Sequence, residues 1–447
     1  MRFCVLFVFM GILLVNLTGC GSSGGGSGGG GSNFRTNEQA NILSVDSDSN
    51  LGNGHSRFAV QSDNGRFVAF SSAATNLVVG DTNGEYDVFV RDRANDTTTR
   101  VSVSSAAAEA VGGDSENPSI NDDGNLIVFE SEATNLVAGD TNSDKDIFMH
   151  NTDTGTSIRI STTTTGLETT DDSRNAKISG DGEWIVFETD ASLQPSDTNN
   201  VSDIYLYEID TGTISRISEN TNGTQSNGVS RNPSLSVDGR YIVFESAATT
   251  LISGDTNGVY DIFLYDRTLD TLERVNLTIG NTQSTGASYK PSVSDDGNRV
   301  LFESDATDLI GAFNDTNSSR DIFVRLRNIP STARVSVNSA GVQSNGDSTN
   351  ASISRDGANA LFQSLATTLV DDDTNGVSDV FLRGIDAAST QRLSLNRSSL
   401  EGNGASYNVN LCATTRYATF HTEATNMDTF TDDNGVDDIV AVPVATP

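Results

Sequence analysis

Asn232-Pro-Ser-Leu-Ser-Val-Asp-Gly-Arg-Tyr-Ile-Val-Phe-Glu-Ser246 and, eight residues further on, Asp255-Thr-Asn-Gly-Val-Tyr-Asp261-Ile-Phe-Leu-Tyr-Asp266 decide the fold. A short strand, an Asp-Gly turn and an alternating strand ending at Phe244 make a hairpin. A third strand is predicted at Ile262 to Tyr265 and a fourth near Glu273 to Leu277. Nothing in this text has the 3.6-residue period of a helix.

The same text recurs seven times. Its clearest mark is an Asp, an Asn two residues on and an Asp four after that. These triplets are Asp81/Asn83/Asp87, Asp140/Asn142/Asp146, Asp197/Asn199/Asp203, Asp255/Asn257/Asp261, Asp315/Asn317/Asp321, Asp373/Asn375/Asp379 and Asp432/Asn434/Asp438. Successive first aspartates lie 57 to 60 residues apart, a period that belongs to repeat architectures. Four short antiparallel strands per repeat make one propeller blade. The expected fold is therefore all-β, a seven-bladed β-propeller over residues 42–447. Phe70, Phe129, Phe187, Phe244, Phe302, Phe362 and Phe420 close the second strands and are expected to pack between blades.

The last copy ends at Asp438-Ile-Val-Ala-Val without a fourth strand, and the missing text stands at the other terminus. Asn41-Ile-Leu-Ser-Val-Asp matches the fourth-strand text Arg334-Val-Ser-Val-Asn. The N-terminal strand is expected to complete the last blade, since an open ring would leave a strand edge unpaired.

Blades of about 40 to 45 residues suffice for WD-type repeats, so the excess sits in the loop between the second and third strands. That loop carries the Asp/Asn/Asp triplet. Calcium takes six to eight oxygen ligands in flexible geometry, and all 21 triplet residues are candidate ligands of a structural calcium ion. Glu130, Glu188, Glu245 and Glu303 are candidates to complete the shells. The alternative is an Asx turn, in which Asp and Asn cap the loop by hydrogen bonds without an ion.

Residues 1–19 have one arginine, a short apolar run and small residues before Cys20, the pattern of a secretory signal. Leu17-Thr18-Gly19-Cys20 resembles the lipobox of bacterial lipoproteins, which implies cleavage before Cys20 and lipid on its sulfur. Gly21 in place of Asp implies the outer membrane in a Gram-negative host. Residues 20–41 form a Gly/Ser-rich flexible linker. The formal charge of −33 disfavours nucleic acid and anionic lipid as partners. The expected partners are the membrane, through the anchor, and an envelope protein or glycan. The chain is expected to be a monomer.

The repeat also resembles the TolB-like propellers through Pro233, Ser236, Asp238, Gly239, Arg240, Ile242, Phe244, Asp261, Ile262 and Phe263. TolB carries six blades and an extra N-terminal domain, so a Tol role does not carry over with the resemblance. His55, His150 and His421 occupy different places in their repeats, and outside the Gly/Ser-rich linker no Gly-x-Ser-x-Gly elbow or phosphate loop is present. The position after the recurring serine of each linker collects Arg57, Arg174, Arg231, Tyr289 and Tyr407, with Lys290 beside them. These six residues are the expected ligand-binding set, at the channel mouth, and suit an anionic or sugar ligand; neutralising nearby aspartates is the competing role. The function they imply is non-catalytic binding. The alternative is an enzyme acting on an acidic polysaccharide, by the likeness of some seven-bladed propellers to oligogalacturonate lyases.

Overall fold

The structure is a computed structural model and describes residues 40–311, 314–411, 416–427, 432 and 434–444. The signal, Cys20 and the spacer up to residue 39 lie outside the described residues, and Asn41, expected in the spacer, belongs to a strand. Seven four-stranded antiparallel sheets make up the propeller. Blades 1 to 6 span 56–100, 115–159, 173–216, 230–274, 288–334 and 348–392. Blade 7 is built from both ends of the chain. Ser406–Leu411, Tyr417–Thr422 and Asp438–Pro443 are its inner three strands, and Asn41–Ile42 is the fourth.

Closure follows the register implied by the repeat. Asn41 pairs with Ala441 and Ile42 with Val440, and the Leu43 N–H donates to the Ile439 carbonyl at 2.7 Å. The edge that a ring with a three-stranded last blade would expose is thereby paired.

The phenylalanines stack in pairs across neighbouring strands. Phe70 lies 5.9 Å from Phe89, and Phe244 lies 5.8 Å from Phe263. Each pair fills the gap to the adjacent blade: Phe129 and Phe148 of blade 2 pack on Ala69, Val88 and Val90 of blade 1. The aromatic rings are therefore inter-blade core, as the sequence implies. The recurring serine has a structural role too. Ser56 and Ser72 share a hydrogen bond of 2.9 Å, Ser115 and Ser131 one of 2.8 Å, and the pair repeats around the ring.

Candidate functional site

Strand direction brings the linkers and the aspartate loops to one face. The Tyr86 N–H at the end of one loop donates to Asp114 of the next linker, and Asn83 Nδ2 reaches the Ala110 carbonyl. The aspartate loops and the linkers thus meet at a single rim.

Within the loops, the second aspartate of each triplet is buried and fixed. Ser102 donates to Asp87 at 2.5 Å, Ser336 to Asp321 at 2.5 Å and Ser44 to Asp438 at 2.5 Å, while Asn276 does the same for Asp261 at 2.6 Å. The asparagine turns the other way from a ligand. Asn83 Oδ1 accepts the Glu85 N–H, and its amino group donates to Asp87 at 3.0 Å. Asn199, Asn257, Asn317, Asn375 and Asn434 repeat both contacts.

Asn142 of blade 2 keeps the turn and changes the second contact. Its Oδ1 accepts the Asp144 N–H at 3.3 Å, and its amino group donates to the Thr169 carbonyl at 2.7 Å. Asp146 takes its bonds from Ser161 and Arg159 instead. All of this is the Asx-turn arrangement. The side-chain oxygens of Asn83, Asn142, Asn199, Asn257, Asn317, Asn375 and Asn434 each accept an N–H of their own loop, the hydrogen-bonded turn that is the alternative to an ion.

An arginine from the fourth strand reaches into each of the first six loops. Arg100 lies 3.3 Å from Asp81, 3.0 Å from Asp87 and 2.7 Å from Glu109. Arg159 and Arg392 make the same three contacts in their blades, and Arg216, Arg274 and Arg334 approach the first aspartates of theirs. Three groups, Asp81/Asp87/Glu109, Asp140/Asp146/Glu168 and Asp373/Asp379/Glu401, bring ligand atoms within 4.8 Å of one another. These acidic clusters have the carboxylate density to hold a metal ion, and the guanidinium supplies positive charge at the same place. Sequence reading missed the arginine because it lies about 19 residues from the triplet's first member, in a strand judged by its apolar residues.

Charge is unevenly held in these clusters. Burial, with Asp87 beside it, pushes Asp81 up to about 6, and burial does the same to Asp140 and Asp373. Glu168 is held at about 2 by the Thr141 N–H and hydroxyl, with Arg159 adding to them. Burial opposes the same effect at Glu109, but the Thr82 N–H and hydroxyl and Arg100 prevail and hold it at about 2. The outer glutamate carries the firm negative charge and the first aspartate is the member that takes a proton.

Glu130, Glu188, Glu245 and Glu303 are not at the loops. They sit between blades behind the channel wall, each accepting the backbone N–H of the next blade's inner strand: Asn175 at 2.6 Å, Asn232 at 2.5 Å, Lys290 at 2.6 Å and Asn350 at 2.7 Å. As members of the calcium shells they are corrected by this placement.

Each inner strand carries one residue with positive φ, namely Phe58, Asn117, Asn175, Asn232, Lys290, Asn350 and Asn408. The register shifts at the same point. This bulge reverses the alternation of side chains, and the positive-φ residue faces a central cavity of about 400 Å³. Asparagine tolerates that conformation better than most residues. Of the six candidate ligand residues, Lys290 is the one in the cavity wall. The others surround the mouth. Arg57 lies over the Tyr86 ring at 4.0 Å and bonds Glu116, and Arg174 bridges Asp172 and Asp190. Arg231 lies over Tyr260 at 4.4 Å and reaches Glu245 at 2.6 Å. Tyr260 and Tyr289 are 6.0 Å apart, with Arg320 over Tyr289 at 4.2 Å. Tyr407 packs on His421 at 5.3 Å. Arg320 and Tyr260 were missed because they belong to the loops rather than the linkers. The recurring Ser-x-Asn of the linkers was the available signal for the channel ring.

No protein-family model and no curated protein matches the chain. Solved structures do. An oligogalacturonate lyase in complex with manganese aligns with a TM-score of 0.53 at 10% identity, over 92% of this chain and 94% of that one. A prolyl endopeptidase aligns at 0.50 and 12% identity, over 88% of this chain and 50% of its own. TolB from Acinetobacter baumannii aligns at 0.40 and 15% identity, over 76% and 63%. At these identities the likeness is one of fold. The seven-sheet topology makes the chain a seven-bladed β-propeller.

Proposed function

We propose that this chain is a lipid-anchored bacterial envelope protein whose propeller binds an anionic protein or glycan ligand at the rim where linkers and aspartate loops meet. The observation that carries the reading is the Arg231–Tyr260–Tyr289–Arg320 stack beside the cavity mouth, in a chain of net charge −33. Planar cations on aromatic faces suit carboxylate and sugar surfaces alike. The alternative, an enzyme acting on an acidic polysaccharide, finds less support. His55 is exposed beside Asp437, His150 is buried against Ser157, and His421 is buried near the channel. Among the described residues, the three carboxylate groups close enough to share an ion contain no histidine.

Calcium keeps one place in this proposal, the aspartates of the blade 7 loop. In blades 1 to 6 the arginine's charge takes the role an ion would play. In blade 7 Ile42 holds the arginine's register position. A structural ion there would bind in the ~10⁻⁴ to 10⁻³ M range of extracellular modules.

The test is capture of anionic glycans and envelope proteins by the full chain and by a variant with Arg57, Arg174 and Arg231 changed to alanine. The variant should lose capture and keep its melting temperature. Capture by the variant equal to that of the parent would overturn the rim as the site. Cys20→Ser should leave the anchor unmade, and unchanged membrane fractionation and mass would refute the lipid.

A further inference from the structure

We propose that the central channel is a carboxylate-binding well with Lys177 as its anchor. Lys177 lies in the cavity wall, one level deeper than the ring of positive-φ residues. Its counterparts in the other blades are Val60, Ser119, Ser234, Ser292, Ser352 and Asn410, all uncharged. The ring thus changes from uncharged side chains to an ammonium at one point.

Among the described residues Lys177 has no hydrogen-bond or ion-pair partner. Glu130 and Glu188 attract it from further away, and both are occupied elsewhere. Glu130 accepts from Asn117 Nδ2 and the Asn175 N–H, each at 2.6 Å, and faces Lys145 at 3.6 Å. Glu188 accepts the Asn232 N–H at 2.5 Å and is also bonded by the Asn175 side chain. Both carboxylates are held in the wall, so the ammonium faces the cavity. Burial lowers its pKa. A desolvated cation without a partner is costly to a fold, and an incoming carboxylate offsets that cost directly.

The channel also sets the ligand's direction. At the far end Arg355 of blade 6 crosses to Asp122 of blade 2, with Nη1 2.7 Å from the carboxylate, and Asp63 lies 3.7 Å away. That bridge narrows the far end, and the wider cavity opens toward Lys290, so the proposed entry is from the loop face, carboxylate first. Lys290, nearer the mouth, bonds Asn350 at 2.5 Å and adds a second positive charge on that path. A volume of about 400 Å³ lies within the ~300–1,000 Å³ of small-ligand sites. It suits one acidic sugar or the last residues of a peptide. The inference rests on the reading of the propeller as a binding module.

Two probe pairs separate the sources. Glucuronate and its methyl ester test a uronic acid; a tripeptide with a free and an amidated C terminus tests a peptide end. Each is titrated calorimetrically into the full chain. One carboxylate probe should bind at least tenfold tighter than its neutral partner. Lys177→Gln should lose that tenfold and Lys177→Arg should keep most of it. Because the empty lysine has a lowered pKa, binding at alkaline pH should also take up a proton, seen as a heat that changes with the buffer. The chain has three lysines, Lys145, Lys177 and Lys290, so reductive ¹³C-methylation gives an assignable signal on the unmutated protein. That of Lys177 should shift with the carboxylate probe alone. Equal binding of charged and neutral probes, an unaffected Lys177→Gln variant, or an unmoved Lys177 signal would each overturn the well. Loss of capture by the rim variant with intact probe binding would fail neither reading, whereas capture without probe binding would fail the well alone.

Discussion

Ile42 of the N-terminal strand pairs with Val440 of the C-terminal strand, the register at which Arg100 pairs with Phe89 in blade 1. The closing blade thus has an aliphatic residue at the register position that an arginine holds in blades 1 to 6. Leu51 similarly stands where blade 1 has Glu109, each bridging back to a valine, Val45 and Val103. Where its two ends meet, the chain keeps Asp432 and Asp438 and replaces the arginine and the outer glutamate by aliphatic residues.

The exchange predicts a pH dependence. Burial, then the neighbouring Asp432, raises the pKa of Asp438 well above the usual carboxylate range. A folded-state pKa above the unfolded one means that the native state binds the proton more tightly. The stability it gives is complete below the unfolded value near ~3.8 and is lost as pH rises through the folded value. Asp81, Asp140 and Asp373 add a decline toward about 6 by the same sign. Ile42→Arg should bring Asp438 down and flatten the high-pH part of the curve. Urea unfolding of both proteins from pH 4 to 8 checks this, and parallel curves would refute it.

Closure itself is tested by deletion. Removing residues 33–50 takes away the strand that pairs with Asp438–Pro443 and the Ser44 hydroxyl that bonds Asp438. The melting temperature should fall sharply, with aggregation through the exposed edge. Removing residues 21–32 should leave it unchanged. Equal stability of the two deletions would show that the N-terminal strand is dispensable.

The blades were legible because repetition shows them seven times. Asp238-Gly239 gives the turn, Phe244 and Phe263 the core, and Asn41-Ile-Leu-Ser the missing strand. The rim was legible as a place and less so as a set of partners. Arg231 was visible in the linker, but Tyr260 beneath it is a loop residue that only folding brings near. Asn142 was visible as an oxygen donor, yet the direction in which its amide turns depends on the Asp144 N–H and the Thr169 carbonyl, and spacing does not encode it. Lys177 was hidden for a different reason. The bulge at Asn175 shifts the alternation, and a strict two-residue count from Arg174 does not reveal which side chains meet the channel.

Arg100, Arg159 and Arg392 should each be more important to stability than surface arginines. Each stands among three carboxylates with 10% or less of its side chain exposed. Arg100→Met leaves Asp81, Asp87 and Glu109 facing one another. The cost should reach about 3 kcal/mol, the lower end for a broken buried pair, because the cluster's edge meets solvent. Lower pH should restore part of it, since protonating Asp81 relieves the repulsion. Calcium should now stabilise the variant, by binding the three carboxylates in the native state only. Chemical denaturation with and without millimolar calcium measures both effects. A variant as stable as the parent would show that the arginine is not the cluster's counter-charge.

Gly180 should prove essential to the bridged end of the channel. A Cβ built on it would lie 2.3 Å from Val237 Cγ2, 2.6 Å from Arg355 Nη2 and 2.6 Å from Asp122 Oδ1. The glycine makes room for the bridge between blades 6 and 2. Gly180→Ala should force Arg355 and Asp122 apart and cost about 1–3 kcal/mol, as overpacking does. Arg355→Met removes the same bridge by another route. If both act through it, the double variant should be less destabilised than the sum of the two, because the bridge can be lost once. A strictly additive cycle would mean that Gly180 and Arg355 stabilise the ring separately, and that the alanine's cost lies at Val237 rather than at the bridge.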